Sequence, residues 1–451
     1  MGTKTAAREQ TFEVAKTLDG PTPRTLGGVD QSAFWANLGV SLLGFTGAAT
    51  VLMPAGVPRL SVFAAIAATM VGTVLGSIML GLSAIPGARK QAPSMVLLRG
   101  LFGGRLSYLP TALNVLQLIG WGTFELLAIA QGADAVFGGG PRWLYVLVTG
   151  VLTTVLTIWP LGAIRVLRRY VTVAVAISMI YLFVQVLRQP LPDLTTGSWR
   201  GFWAGSDAAL AVAVSFIPLA SDYSRHAKTT KGAFASATVG YSVSQVLCYL
   251  LGLLVLVQAG STNHPYTPFL AVPLGALFLG ILVLREVDQS FADTYSTGVS
   301  LQNLLPRTDR RILTIGVGAL TTVLALTMNI GQYAGFLTVI GSVFVPLFGV
   351  LAADYFVSRS RWDLSQRAPS RWRMLLAWVL GLAVYQLINP GELGAWSRMW
   401  IDLAGALHFT TASWMSASLF SFLAAALLAW AFNLVPLRRQ KNRAETVGEP
   451  A

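Results

Sequence analysis

The chain is a succession of long apolar stretches with few breaks, and this pattern restricts the possible folds more than any single motif. About 20 apolar residues in a helix match the hydrocarbon thickness of a bilayer. Inside that layer no water serves the backbone N–H and C=O groups, so each stretch is expected to close its own hydrogen bonds as an α-helix. Twelve such segments can be read, at roughly 33–55, 60–83, 108–136, 143–163, 170–188, 205–221, 234–259, 268–303, 312–330, 334–356, 373–390 and 409–435. Apolar residues make up 54% of the 451 positions and charged residues only 11%. The expected class is an all-α polytopic membrane protein, since a soluble core of that apolarity would not stay in solution.

A formal charge of +13 raises the question of nucleic acid, but the placement of the basic residues argues against it. If both tails lie on one side, that side collects all but six of the 32 Lys and Arg. The other side keeps Arg59, Arg142, Arg188, Arg200 and Arg398, while Arg285 falls inside a segment. By the positive-inside rule both termini are expected in the cytoplasm, with the protein in the cytoplasmic (inner) membrane. Residues 1–32 read as a cytoplasmic tail without a cleavable signal, 33–356 as segments 1 to 10, 357–436 as segments 11 and 12, and 437–451 as a second tail. The lone Cys248 excludes a disulfide framework or a cysteine metal cluster. His226, His264 and His408 lie in three separate places, so neither a metal site nor histidine-centred catalysis is expected.

The eighth segment breaks the apolar rule. Between Pro268 and Leu305 it carries Arg285, Glu286, Asp288, Gln289, Asp293, Gln302 and Asn303. An ionised side chain at the bilayer centre costs at least about 2.5 to 3.5 kcal/mol, so such groups face a bundle interior and mark a pathway. At roughly 100° per residue, Glu286 and Asp293 share a face with Gln289, Ser290 and Thr297, whereas Asp288 lies on another face beside Arg285 and Tyr295. One face suits a substrate cavity and the other a smaller site. The structural alternative is a neutral pair of Arg285 with Asp288 or Glu286.

The third segment contributes a second polar stripe: Asn114, Gln117, Trp121 and Glu125 recur at three- and four-residue spacing. An indole face can stack on a planar heterocycle while the amide and carboxylate pair with its ring N–H and exocyclic groups. The alternative for Trp121 is packing, and for Gln117 an interhelical hydrogen bond. An unpaired carboxylate such as Glu125 has fewer structural excuses. In the sixth segment Phe216 is placed to close such a ring from the opposite side, or else packs. Asp222 and Arg225 are expected to end that helix and form a salt bridge. An intramembrane enzyme using Asp288 and Asp293 as an acid pair is the reading from a different class.

Segments 1 to 5 and 6 to 10 can be paired as two halves of opposite topology. Gly39, Ser41, Gly44, Gly47 and Pro54 in the first segment, and Gly205, Ser215, Pro218 and Ser221 in the sixth, are residues that weaken or interrupt a helix. Interrupted helices expose backbone groups that bind ions and polar substrates at mid-membrane.

Several stretches together resemble the nucleobase–cation symport family 1, the purine, cytosine and allantoin permeases. Phe102–Gly–Gly–Arg105–Leu–Ser–Tyr–Leu–Pro and Asn114–Val–Leu–Gln117–Leu–Ile–Gly–Trp121 are similar to its cytosine and hydroxymethylpyrimidine branch. So are Ser221–Asp222–Tyr223–Ser224–Arg225, Phe291–Ala–Asp293–Thr–Tyr295–Ser296 and Ala353–Asp354–Tyr355–Phe356. The resemblance implies a five-plus-five inverted-repeat, LeuT-like fold with unwound helices 1 and 6, and import of a planar nucleobase-like ring by cation-coupled alternating access. Purine, allantoin or hydantoin transport is the alternative within the family. Implied substrate contacts are Trp121 and Glu125 with Asp293, with Gln289 and Ser290 as competitors. Implied cation contacts are the carbonyls of Gly39 and Leu42 and, where a hydroxyl is usual, Asp288. That carboxylate leaves the coupling ion as Na⁺ or H⁺. No other cofactor is expected, and the protein is expected to act as a monomer.

Overall fold

The computed structural model describes residues 16–18, 22–159, 170–191, 193–259, 266–328 and 333–435. Almost everything described is helical, with isolated bridges pairing Leu26 to Ala227 and Leu60 to Ser198. The first segment is two helices, α1 (Gly28–Leu38) and α2 (Leu42–Leu52), bent by 60° at their break. Ser41 accepts from the Leu43 amide at 3.0 Å and so caps α2. Gly39 has no room for a side chain, because a Cβ would lie 2.1 Å from Ser244 Oγ.

The second and third segments are α3 (Val62–Lys90) and α5 (Tyr108–Phe137), separated by the short α4 (Ser94–Phe102). The fourth and fifth contain α6 (Arg142–Leu156) and α7 (Thr172–Leu187); residues 160–163 of the fourth lie outside the described residues. The sixth comprises α8 (Phe202–Ser215) and α9 (Ile217–Ser224), interrupted at Phe216. The seventh runs from α10 (Thr230–Ala235) through a π-turn into α11 (Tyr241–Ala259). After the one-turn α12 (Thr267–Leu270) come α13 (Gly275–Leu301), α14 (Arg310–Thr327), α15 (Tyr333–Ala352), α16 (Trp372–Ile388), α17 (Ala395–Ala406) and α18 (Ala417–Leu434).

Among the described residues seven spans are long and apolar enough to cross a membrane, counting α8 with α9, α10 with α11 and α15 with the turn after it, and the bent α1–α2 pair makes eight. The helices α6, α7 and α16 are shorter but apolar, and α13 is set apart by its charges. Two starts differ from the sequence reading. The eighth helix begins at Gly275 rather than near 268, because Leu274 takes a left-handed φ of 54° and Pro268 and Pro273 suit a turn. The twelfth begins at Ala417, behind the cap Ser416, and the amphipathic α17 precedes it.

Helix pairing follows a regular scheme. The first segment packs on the seventh, the second on the sixth, the third on the eighth and the fourth on the ninth. Replacing each of these by its counterpart five positions away maps the scheme onto itself. Close approach depends on small residues: at Gly72 of α3 a Cβ would stand 2.1 Å from the Ser206 carbonyl of α8. Asp207 of α8 accepts from Ser416 Oγ at 2.6 Å and the Ala417 amide at 2.7 Å, anchoring the start of α18.

The segment before α1 crosses the connection between α9 and α10. The Leu26 amide donates to the His226 carbonyl at 3.0 Å, and the Lys228 amide to the Leu26 carbonyl at 2.9 Å. His226 Nδ1 lies 2.8 Å from the Pro23 carbonyl and donates to it. Burial, followed by the neighbouring Arg225 charge, pushes the His226 pKa down to about 3, so the folded protein holds the imidazole neutral. His264, in contrast, lies outside the described residues. Because the unfolded chain takes up the proton first, stability is expected to fall as pH drops from about 6.5 toward 3, by about 2 kcal/mol at pH 5. Melting temperatures at pH 7 and pH 5 check this: His226→Gln should show a smaller acid-induced drop than the wild type.

Candidate functional site

The broken first segment leaves two half-helix ends facing each other in the interior. The C-terminal end of α1 carries partial negative charge and the N-terminal end of α2 partial positive charge. Adjacent residues of α13 answer both. Glu286 accepts from Ser41 Oγ at 2.5 Å and from the Leu42 amide at 2.9 Å. The Arg285 guanidinium donates to the Asn37 carbonyl at the end of α1, to Glu286 Oε2 at 3.1 Å and to Gln289 Oε1 at 2.8 Å. Both side chains are buried, at 1% and 0% exposure, so the charges are paired where water cannot screen them.

This geometry selects among the alternatives of the sequence. Arg285 pairs with Glu286, and Gln289 is engaged by the guanidinium. The carboxylate that reaches the break is Glu286, not Asp288, which sits roughly 200° further around the helix and cannot approach the same neighbour. Asp288 is buried, with Oδ1 lacking a hydrogen-bond partner among the described residues. Gly39 turns toward Tyr241, Ser244 and Gln245 of α11, and the Leu42 amide is already bound. A Na⁺ ion 4 Å from a guanidinium would be repelled by about 4 kcal/mol at an effective dielectric of 20. The Asn37 carbonyl at the α1 end is thus met by the guanidinium.

A second polar group lies between α5 and α13. Asn114 Nδ2 donates to Ser300 Oγ at 2.8 Å. Gln117 Nε2 donates to Asn114 Oδ1 at 2.9 Å and to the Ser215 carbonyl, at the break of the sixth segment, at 3.0 Å. The Glu125 and Asp293 carboxyl groups are close neighbours across α5 and α13. Gln117 Oε1, Trp121 Nε1 and Glu125 Oε2 are buried without a partner among the described residues. Buried polar atoms are nearly always paired, so three on one helical stripe point to a ligand-binding face. Ser290 is buried on the same helix as Asp293.

Aromatic rings wall this region. Trp121 meets Tyr333 and Phe336 of α15 edge-on, with ring centroids 5.8 and 5.3 Å apart. Phe216 packs on Trp35 at 6.4 Å and Tyr241 at 5.2 Å. The α15 rings and the Asn37 carbonyl escaped the sequence reading; only the Gly39 and Ser41 break hinted at the latter. Asp222 also differs from expectation. It accepts from the Ser94 amide at 2.9 Å and caps α4, while Arg225 donates to the Asp222 backbone carbonyl and to the Tyr295 hydroxyl, each at 3.2 Å. A cavity of about 190 Å³, lined by Met53, Asp207, Leu337 and Tyr385 among others, lies apart from the Glu125–Asp293 pair.

Residues 23–415 match the family described as "Permease for cytosine/purines, uracil, thiamine, allantoin". The chain belongs to this permease family. The permease is 25% identical over 327 residues to the cytosine permease of Escherichia coli (strain K12), covering 70% of this chain and 76% of that one. It is 24% identical over 394 residues to the hydantoin permease of Microbacterium maritypicum, covering 78% of each. Its fold matches Mhp1, a nucleobase-cation-symport-1 family transporter solved in a closed conformation with bromovinylhydantoin bound. The TM-score is 0.71 at 19% identity, over 95% of this chain and 98% of the other. The permease is thus a multi-pass membrane transporter with a LeuT-like fold, and the enzyme reading of Asp288 and Asp293 falls away.

Removing one partner of a buried ion pair costs roughly 3 to 5 kcal/mol because the other charge stays uncompensated. Glu286→Gln is therefore expected to lower the detergent-solubilised melting temperature of the permease well below that of Glu392→Gln, whose site lies at the protein's edge. Equal melting temperatures would show that the pair does not hold the break together.

Proposed function

We propose that the permease imports a planar nucleobase-like heterocycle, of cytosine or hydroxymethylpyrimidine type, by cation-coupled alternating access. The observation that carries this reading is the α5 stripe: a tryptophan face beside buried Gln117 and Glu125 oxygens without partners among the described residues, opposite the Asp293 carboxyl. An indole suits stacking on any heterocycle, and carboxyl groups accept from an exocyclic amine such as N4 of cytosine. Hydantoin transport is the second reading, since the cytosine and hydantoin permeases stand at nearly equal identity to this chain.

In this reading all twelve segments cross the cytoplasmic membrane, both termini are cytoplasmic, and the breaks in the first and sixth segments serve as the unwound helices. Trp121, Gln117, Glu125 and Asp293 contact the ring, with Ser290 beside them and Phe216 on the opposite wall. The coupling cation is Na⁺ or H⁺, Asp288 is the side chain assigned to it, and a monomer is the working unit. The 26 basic residues on one side support the orientation.

Proteoliposomes under an imposed gradient should accumulate at least one of cytosine, hydroxymethylpyrimidine, uracil, hypoxanthine, allantoin or hydantoin saturably; no accumulation of any would sink the proposal. Trp121→Ala should weaken ring binding by about 5- to 150-fold, the equivalent of the 1 to 3 kcal/mol that base–aromatic stacking contributes. Normal membrane expression must accompany that loss, whereas failed expression would mark Trp121 as a packing residue. Asp288→Asn should abolish accumulation while leaving substrate exchange measurable; unchanged gradient dependence would remove Asp288 from coupling.

A further inference from the structure

We infer that Arg285 is a built-in cation that takes the place of a bound Na⁺ at the broken first segment, so that substrate binding by this permease is independent of Na⁺. The inference rests on the transport reading above and narrows its coupling ion. In transporters with discontinuous helices, the C-terminal ends of half-helices and the carbonyls freed by a break are where a coupling ion gathers its oxygen ligands. Here that end is α1, and its Asn37 carbonyl accepts from the Arg285 guanidinium.

Three further features make the guanidinium a fixture. Its Nη1 is held by Glu286 at 3.1 Å and its Nη2 by Gln289 at 2.8 Å. Glu286 is fastened in turn to α2 by Ser41 Oγ and the Leu42 amide. Arg285 therefore bridges α1, α13 and, through Glu286, α2, the elements that an ion at a helix break would tie together. A guanidinium stays charged throughout the physiological range, so this positive charge is present without an ion gradient. Unlike a bound ion, it does not leave when the protein opens to the cytoplasm, and it cannot transmit the energy of a Na⁺ gradient.

Equilibrium binding to the purified full-length permease tests this, using the ring that the uptake panel identifies and replacing Na⁺ by K⁺ or choline at fixed pH and ionic strength. A ligand coupled to Na⁺ is typically tightened by about 5- to 150-fold, whereas the wild type is expected to change by less than about twofold. Na⁺-dependent tightening of the wild type by about fivefold or more would overturn the inference while leaving the transport reading intact. Failure of every ring to bind in any salt would instead overturn the transport reading on which it rests. Arg285→Lys, which keeps the charge, should bind independently of Na⁺. Arg285→Ser should bind more weakly in Na⁺-free buffer than in Na⁺; wild-type affinity in Na⁺-free buffer would also overturn the inference. If Arg285→Ser does not fold, the wild-type salt comparison decides by itself.

Discussion

The ion pair between neighbouring residues of α13 holds the interior of this permease together. A helix broken at mid-membrane presents one end rich in unpaired carbonyls and another rich in unpaired amides, and no water is available to either. Arg285 and Glu286 supply a cation and an anion side by side and meet the two ends in the matching sense. The desolvation of each charge is offset by its partner and by the half-helix dipole, so the costliest residues of the chain become its central joint. The 60° bend between α1 and α2 is tolerable because that joint exists.

The rest of the site is arranged around α13. Two faces of that helix separate two tasks: the Arg285 and Glu286 side closes the break, and the Asp293 side meets Glu125 of α5. Between these helices lie aromatic walls and polar atoms without partners among the described residues. For the ring substrate proposed above, little conformational freedom would be lost on entering such a place, so that stacking and a few directed hydrogen bonds would suffice for recognition.

Much of this was legible in the residues. The class follows from apolar length, and the third and eighth segments stand out because charge at depth is expensive. The Gln117, Trp121 and Glu125 stripe survives in three dimensions because helical spacing is a local property. The pairings did not survive equally well. Asp222 caps α4, a helix far from it in sequence, and Gln289 turns to Arg285 rather than standing free. The starts of the eighth and twelfth helices shifted because local turns at Leu274 and Ser416 override hydropathy.

By itself the sequence determined that the chain is a helical membrane protein with polar side chains concentrated in two segments, since burial of apolar surface and the cost of charge act residue by residue. It also named the family, because the relevant motifs are short and contiguous. Only the tertiary structure decided which carboxylate reaches the broken helix, which partner Arg285 takes and which groups lack a partner among the described residues. Those choices depend on the rotation of α13 against α1, α2 and α5, and a rotation of one residue, about 100°, exchanges every partner on the helix.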